Sequence, residues 1–473
     1  MKLNKIIKND LDLDIDITDI IDDSRIKTER GLFVASKGLT VDGHDYVEKS
    51  ISNGAVVAIT ERKVDADIPQ IIVEDSNVAM NEALNNFHDR PLDKLKLIGV
   101  TGTDGKTTTS EILYQMLNSV SSCGYIGTNG VRCKGYVGTN HLTTPLPREL
   151  FKEFHEFTNH GAKYVSMEVS SERLHAKRLD GIKFDVSIFT NLTKDHLDTH
   201  KTMENYAAAK SKLFEATTGL SIINKDDEYS DYFISKCSAP VKTFGQANSD
   251  IYFDNENVLE NHLEFDIHGV LGDHHIISKL SGRFNIYNLM STILVLNYYG
   301  YSMDEIIKAI SELKPIDARQ MEANVGQDFR CWIDYAHTAA AISGLIDYAR
   351  SITKGRVLVV TGAAGSRDPY RSQAAADVCT KKADYNIFTI EDARGEDPEL
   401  VINRMVEGIT LDNYELIPTR EEAIQKAISL AKKDDTLLIL GKGLESFEKV
   451  NGGEVKQEND YELALKYLKQ KMN

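Results

Sequence analysis

The segment LIGVTGTDGKTTTSEIL, Leu97 to Leu113, narrows the possible folds more than any other part of the chain. An apolar run, a turn with two glycines, a lysine, three threonines and a helix-like stretch follow one another directly. This order predicts a buried strand that ends in a tight loop at a helix N-terminus. Such a terminus presents unpaired N–H groups and the positive end of the helix dipole, so it attracts phosphate. Gly102 and Gly105 would let the backbone of the loop, with Thr103 and Asp104 between them, close around phosphate groups. Lys106 would add a point charge, and Thr107 or Thr108 would offer a hydroxyl to magnesium. The spacing misses GxxxxGK[ST] by one glycine, because Val100 stands five residues before Gly105. The flanking strand and helix still meet the requirement of the mechanism.

The rest of the chain supplies the sheets such a loop needs. From Asp10 to Thr18, Asp alternates with Leu, Ile or Thr, which predicts an edge strand with one wet face. GLFVAS (Gly31 to Ser36), NGAVVAIT (Asn53 to Thr60) and IIVED (Ile71 to Asp75) continue a small α/β domain that ends near Pro91. Strands such as KLIGVTG, AKYVSMEVS and FDVSIFTN then alternate with helical stretches, the pattern of a mostly parallel sheet covered on both faces. A β-rich insert runs from Thr243 to Leu280, followed by a helix over FNIYNLMSTILVLNYYG. CWIDY, RVLVVTG, YNIFTI and DTLLILG predict a last, doubly wound unit. The expected architecture is three α/β domains at residues 1–92, 93–315 and 316–473.

Composition excludes several classes of partner. At 473 residues and 41% hydrophobic content the chain can bury several cores. No stretch approaches the roughly 20 apolar residues that cross a bilayer, and MKLNKIIKNDLDLD turns acidic where a secretory signal would become apolar, so a cytoplasmic location is expected. Five cysteines without paired CxxC spacing point to reduced thiols. A net charge of -17 argues against nucleic acid or an anionic membrane as partner.

The loop TGTDGKTT is similar to the TGTNGKTT loop of the Mur ligases and folylpolyglutamate synthetases, with Asp104 in place of the usual asparagine. MEVSS (Met167 to Ser171), TNLTKDHLDTH (Thr190 to His200), NYAAAKSKLF (Asn205 to Phe214), GRFNIYN (Gly282 to Asn288) and IDYAHT (Ile333 to Thr338) follow in the order of that family. DDSRIKTERGLFVASKG and DGHDY resemble the uridine-binding domain of the tripeptide synthetases among the Mur ligases. Folylpolyglutamate synthetases lack this domain.

The resemblance implies an ATP-dependent ligase of UDP-N-acetylmuramoyl-L-alanyl-D-glutamate, working through an acyl phosphate as a cytoplasmic monomer whose third domain closes on ATP. It assigns Lys106 to the phosphates, and Thr107, Glu168, His196 and Lys210 to magnesium. Lys210 matches the family lysine that reacts with carbon dioxide to become a carbamate, which turns a cation into an oxygen ligand. Asn285 is implied at adenine, and Asp334 and His337 where the third domain reaches over ATP. Ser24, Arg25 and Ser36 fall in the uridine region, while Thr143 and Thr144 of HLTTP, Ser170 and Arg178 match positions that hold the muramoyl peptide.

For the incoming amino acid the chain departs from its relatives. Diaminopimelate enzymes show DNPR followed by EDP; here the sequence is EDAR followed by GEDP, with Glu391, Asp392 and Arg394. An arginine is the natural clamp for a second carboxylate. GKGHE appears as GKGLE, with Gly441 and Glu445, and Arg367 of GSRD is retained. These residues leave meso-diaminopimelate, L-lysine, or a paralogue acting on a different amine or carboxylate as readings. A nucleotide-dependent binding protein without ligase chemistry is the alternative from another class.

Overall fold

The computed structural model describes residues 1–11, 13–38, 41–139, 142–367, 369–451 and 453–472. They gather into two compact units: Met1–Thr190 with Ala207–Phe244 and Ser291–Ile306, and Asn191–Tyr206 with Gly245–Met290 and Ile307–Asn473.

The first unit opens with a parallel sheet whose strands lie in sequence order: Asp19–Ile21, Gly31–Val34, Ala55–Thr60 and Gln70–Ile72. The edge strand is therefore Asp19–Ile21, and the alternating segment from Asp10 to Thr18 does not form it. Asp12 of that segment lies outside the described residues. Ile20 and Ile21 are both fully buried, the consecutive apolar pair that a strand covered on both faces requires. A carboxylate at every second residue cannot meet that requirement. The alternating segment instead lies along the chain start, where Leu3 N–H donates to Ile15 O at 2.9 Å and Ile17 N–H to Met1 O at 2.8 Å.

The second sheet of this unit has the phosphate-loop strand Lys96–Thr101 in its middle. Tyr164–Glu168 and then Cys123–Gly127 lie on one side of it; Phe184–Phe189, Thr217–Asn224 and Val241–Gly245 lie on the other, all parallel. Antiparallel Gly130–Cys133 and Tyr136–Val137 continue beyond Cys123–Gly127. The chain thus builds one flank and then crosses to the other, which makes the carboxyl end of Lys96–Thr101 a topological switch point, the usual ligand crevice of an open parallel sheet. Val100 pairs with Glu168 in register, so Glu168 ends its strand at the level of the glycine turn.

In the second unit the β-rich insert forms three antiparallel strands, Ile251–Val258, Leu263–Gly269 and His274–Ser278. A six-stranded sheet follows in the order Met321–Glu322, Arg330–Asp334, Thr436–Leu440, Val357–Ala364, Tyr385–Asp392 and Tyr414–Leu416, parallel apart from Met321–Glu322. Alternate side chains feed two cores: Trp332, Val357 and Val359 join the helices Ala339–Ile352 and Pro369–Lys382 on one face, while Cys331, Ile333, Leu358 and Val360 join Arg420–Leu430 and Asp460–Met472 on the other. This is the doubly wound arrangement expected. Among the described residues no helix is long and apolar enough to cross a membrane.

Candidate active site

Gly105, at φ +84°, turns the chain into the helix Lys106–Val120, and glycine alone takes that conformation without strain. The amino group of Lys106 folds back over the loop, donating to Gly102 O at 3.0 Å and Thr103 O at 2.6 Å. Lys210, on the helix Met203–Glu215 and 1% exposed, donates to the same Gly102 oxygen at 2.8 Å. Two ammonium groups on one carbonyl oxygen repel each other, and an entering polyphosphate would relieve that repulsion. Asp104 is held through its backbone, where its carbonyl accepts from Thr190 Oγ1 at 2.7 Å.

Thr107 lies in the first helical turn and is buried, as is Thr108. Its hydroxyl donates to Glu168 Oε2 at 2.9 Å. Glu168 Oε1 accepts from the Tyr125 hydroxyl at 3.0 Å and from Thr128 N–H at 2.8 Å, and Thr128 Oγ1 donates to Oε2 at 3.3 Å. Gly127 is required there, because a Cβ at that position would sit 2.3 Å from both Glu168 Oε1 and the Tyr125 oxygen. Tyr125 and Thr128 were not foreseen; the only signal was a glycine-flanked polar turn, YIGTNG.

Thr143 shares a hydroxyl contact with Thr128 at 3.1 Å. Thr144 is a brace: its hydroxyl donates to Glu168 O at 2.8 Å and accepts from Ser170 N–H at 3.0 Å. Ser170 caps the helix Ser171–His175, accepting from Arg173 N–H. The structure brings Arg178 to the N-terminal sheet, 3.1 Å from Asp22, two residues before Ser24. Ser24 is buried, and the buried Ser36 hydroxyl has no hydrogen-bond partner among the described residues. Arg25 is exposed and turned onto Asp23 at 2.6 Å. His141 and Asp368, from the motifs HLTTP and GSRD, lie outside the described residues.

The other expected residues belong to the second unit. His196 takes φ +55° before the helix Leu197–His200 and places Nε2 3.3 Å from Asp195 Oδ2. Burial alone would raise the pKa of Asp195, but His337, 3.8 Å away, and the charges of His196 and Arg371 hold its carboxyl well below the usual range. Arg367 pairs with Asp198 at 2.7 Å, and Arg371 reaches Glu391 at 3.2 Å. Lys194, Asp195, His196, Asp198, Arg367, Tyr370 and Arg371 line one cleft. Its lining sets two arginines and a lysine beside the carboxylates of Asp195 and Asp198, so a carboxylate ligand would exchange for one of these ion pairs.

Asp334 ends its strand buried and accepts from the N–H groups of Gln320 at 2.8 Å and Ala336 at 2.7 Å. His337 Nδ1 lies 2.8 Å from Tyr335 O. The Asn285 amide is engaged locally, donating to Ser281 O at 2.7 Å and accepting from Asn288 at 3.0 Å.

Around the EDAR and GKGLE motifs one residue was missed. Lys442, 3% exposed, donates to Glu391 O at 3.0 Å, Asp392 Oδ1 at 2.8 Å and Phe447 O at 2.8 Å. Burial would raise the pKa of Asp392, and the Lys442 bond overrides it and lowers the value. Arg394 lies 3.6 Å from Asp392 at φ +50°. Among the described residues Glu391 Oε1 has no hydrogen-bond partner. It faces Gly441, whose φ is +111°. Burial pushes the Glu445 carboxyl up to about 7.

Thr107 and Glu168 are the hard oxygen donors that magnesium takes. Thr107, Glu168 and Lys210 belong to the first unit and His196 to the second. No group of three or more His, Cys, Asp or Glu side chains able to hold a metal occurs among the described residues. Any divalent ion at Glu168 would complete its shell with other oxygens, those of phosphate or water included.

Three family models match the chain: "Mur ligase family, catalytic domain" over residues 18–91, "Mur ligase middle domain" over 100–296 and "Mur ligase, glutamate ligase domain" over 319–443. A UDP-N-acetylmuramoyl-L-alanyl-D-glutamate--2,6-diaminopimelate ligase of Geobacillus kaustophilus is 36% identical over 468 residues, covering 96% of each chain. Ligase 1 of that name from Clostridium acetobutylicum is 36% identical over 483 residues, covering 99% of this chain and 100% of the other. A solved structure of a ligase of the same name matches with a TM-score of 0.70 at 24% identity, covering 100% of this chain and 99% of that one. MurF ligase of Thermotoga maritima, solved in complex with ADP, matches with a TM-score of 0.64 at 18% identity over 96% of this chain and 97% of its own. With relatives this similar along nearly its whole length, the chain belongs to the Mur ligase family.

Proposed function

We propose that this chain is an ATP-dependent ligase that joins 2,6-diaminopimelate to UDP-N-acetylmuramoyl-L-alanyl-D-glutamate. The observation that carries the reading is the phosphate loop at the switch point, with Lys106 and Lys210 on Gly102 O and Thr107 on Glu168. The name of the relatives at 36% identity supports the substrate pair. Arg367, Arg371 and Arg394 support an amino acid with a second carboxylate over L-lysine.

In this reading the glutamyl carboxylate of the acceptor attacks the γ-phosphorus of ATP, ADP leaves, and an acyl phosphate forms. The amine of the incoming amino acid then attacks the acyl carbon and phosphate departs. Both steps gather negative charge, so the work of the protein is neutralisation and alignment. Lys106 and the N–H groups of its helix hold the β- and γ-phosphates. Magnesium, held by Thr107 and Glu168, would supply further neutralisation. His196 as a second metal ligand and the carbamate on Lys210 are part of the proposal. Asn285, Asp334 and His337 serve the nucleotide; Ser24, Arg25, Ser36, Thr143, Thr144, Ser170 and Arg178 serve the muramoyl peptide; Glu391, Asp392, Gly441 and Glu445 complete the amino-acid side. We assign domains to 1–92, 93–315 and 316–473 and a cytoplasmic monomer acting on small molecules, which the charge of -17 supports against nucleic acid.

The test is amine-dependent phosphate release from ATP with the UDP-muramoyl dipeptide and a panel of meso-diaminopimelate, lysine and ornithine. Release with meso-diaminopimelate is expected. Release with lysine alone would move the assignment to a lysine-adding enzyme, and none with any amine would remove it.

A further inference from the structure

We infer that Tyr125 is a positioning residue that orients the Glu168 carboxylate and thereby sets the response of the phosphate loop to magnesium. This rests on the proposed role of Glu168 as a magnesium ligand. Glu168 is fully buried, so both of its oxygens need hydrogen-bond donors, and the placement of those donors sets the plane of the carboxylate. Tyr125 and the Thr128 N–H take Oε1, which turns Oε2 toward Thr107 at the first turn of the phosphate-loop helix.

Tyr125 is itself held from behind. The Arg132 guanidinium lies 4.5 Å from its ring centroid and 4.9 Å from that of Tyr114. Arg132 is in turn tied to buried Glu111 at 2.5 Å, and Asn129 donates to Glu111 at 3.2 Å. The hydroxyl has little lateral freedom, because the missing Cβ of Gly127 is all that leaves room for the Tyr125 and Glu168 oxygens together. The Tyr125 O–H is the donor to Glu168 Oε1 at 3.0 Å. The chain of contacts runs from the charge pair Glu111–Arg132 through the ring to Glu168. Cutting it at the hydroxyl leaves the Glu168 carboxylate with one fewer anchor.

The test is calorimetric binding of ADP to the full chain across a magnesium series and in EDTA. Tyr125→Phe keeps the ring beneath Arg132 and deletes one oxygen. The expected result is a magnesium midpoint raised about 10-fold or more, in the range seen when groups that orient a metal ligand are lost, with ADP binding in EDTA unchanged. An unchanged midpoint, or equal weakening with and without magnesium, overturns the inference. Glu168→Gln separates it from the underlying reading: if that variant keeps the parent magnesium response, the role of Glu168 fails first. If Glu168→Gln loses the response and Tyr125→Phe does not alter it, only the role of Tyr125 fails. Should Tyr125→Phe fail to fold, Arg132→Lys, which keeps a charge for Glu111 and removes the guanidinium from the Tyr125 ring, takes its place: a raised magnesium midpoint with unchanged binding in EDTA supports the inference, and an unchanged midpoint overturns it.

Discussion

Replacing Gly441 by alanine tests the packing behind the amino-acid side of the site. Gly441 follows the strand Thr436–Leu440 at φ +111°, and a Cβ there would lie 2.4 Å from Glu391 Oε1 and 3.2 Å from its Cδ. Two penalties add. The backbone conformation costs a non-glycine residue about 1–3 kcal/mol, and displacing the end of the Glu391 side chain adds the low end of an overpacking penalty, about 1 kcal/mol. The sum, about 3 kcal/mol, corresponds to a fall of about 1–3 M in the urea midpoint, since small domains lose roughly 1–3 kcal/mol per molar urea. Trp332 is the only tryptophan of the chain and sits in a core of the same six-stranded sheet, stacked on Tyr348 at 5.5 Å, so its fluorescence reports this unit directly. Measured against Glu391→Ala alone, Gly441→Ala should recover the steric share and keep the backbone share. A midpoint change below about 0.3 M, or no recovery in the double variant, would refute the close approach of Gly441 to Glu391.

Arg420 and Asp460 form a buried bidentate pair at 2.8 and 2.6 Å, and Arg420 also donates to Leu440 O. Arg420→Met leaves Asp460 uncompensated and should cost about 3–5 kcal/mol by the same fluorescence melt, while Arg420→Met with Asp460→Leu should return most of it. Glu445, ordinarily near 4.5, sits at about 7 because of burial. Its folded value lies above its unfolded one, so the stability it contributes is complete below about 4.5 and is lost as pH rises through about 7. Glu445→Gln should flatten that decline, by at most about 3 kcal/mol, in melts between pH 5 and 8; parallel curves for both proteins would count against the burial. Lys106→Ala should lower phosphate release on the order of 100-fold, and Lys210→Ala should lower it similarly, with Lys210→Gly partly restored by a small added carboxylate; full turnover without Lys210 would end the carbamate proposal.

The phosphate loop was legible because its function is local: strand, turn, lysine and helix are consecutive, and their order alone states the geometry. The two-face burial of the last sheet was legible for a similar reason, since runs such as RVLVVTG have no polar alternation. What stayed hidden depends on residues far apart in sequence. The alternation at Asp10–Thr18 carries the period of a strand, yet the sheet takes the next residues, where Ile20 and Ile21 are adjacent and both buried. Lys442 stayed hidden because its three acceptors come from the end of a strand two places away in the sheet and from a hairpin that no local pattern announces. Asn285 and Arg25 look outward in sequence, but each finds a nearer acceptor within a few residues. The strand Thr436–Leu440 was recognised as a strand, while its place between Arg330–Asp334 and Val357–Ala364 is a property of topology alone.

The meeting of Lys106 and Lys210 on Gly102 has a genetic corollary. The shared acceptor belongs to the main chain, so no codon change deletes it. Drift at the two amines leaves the acceptor in place, and loss of either relieves the repulsion while halving the charge offered to phosphate. Replacing the peptide link after Gly102 by an ester weakens the carbonyl as an acceptor while sparing every side chain.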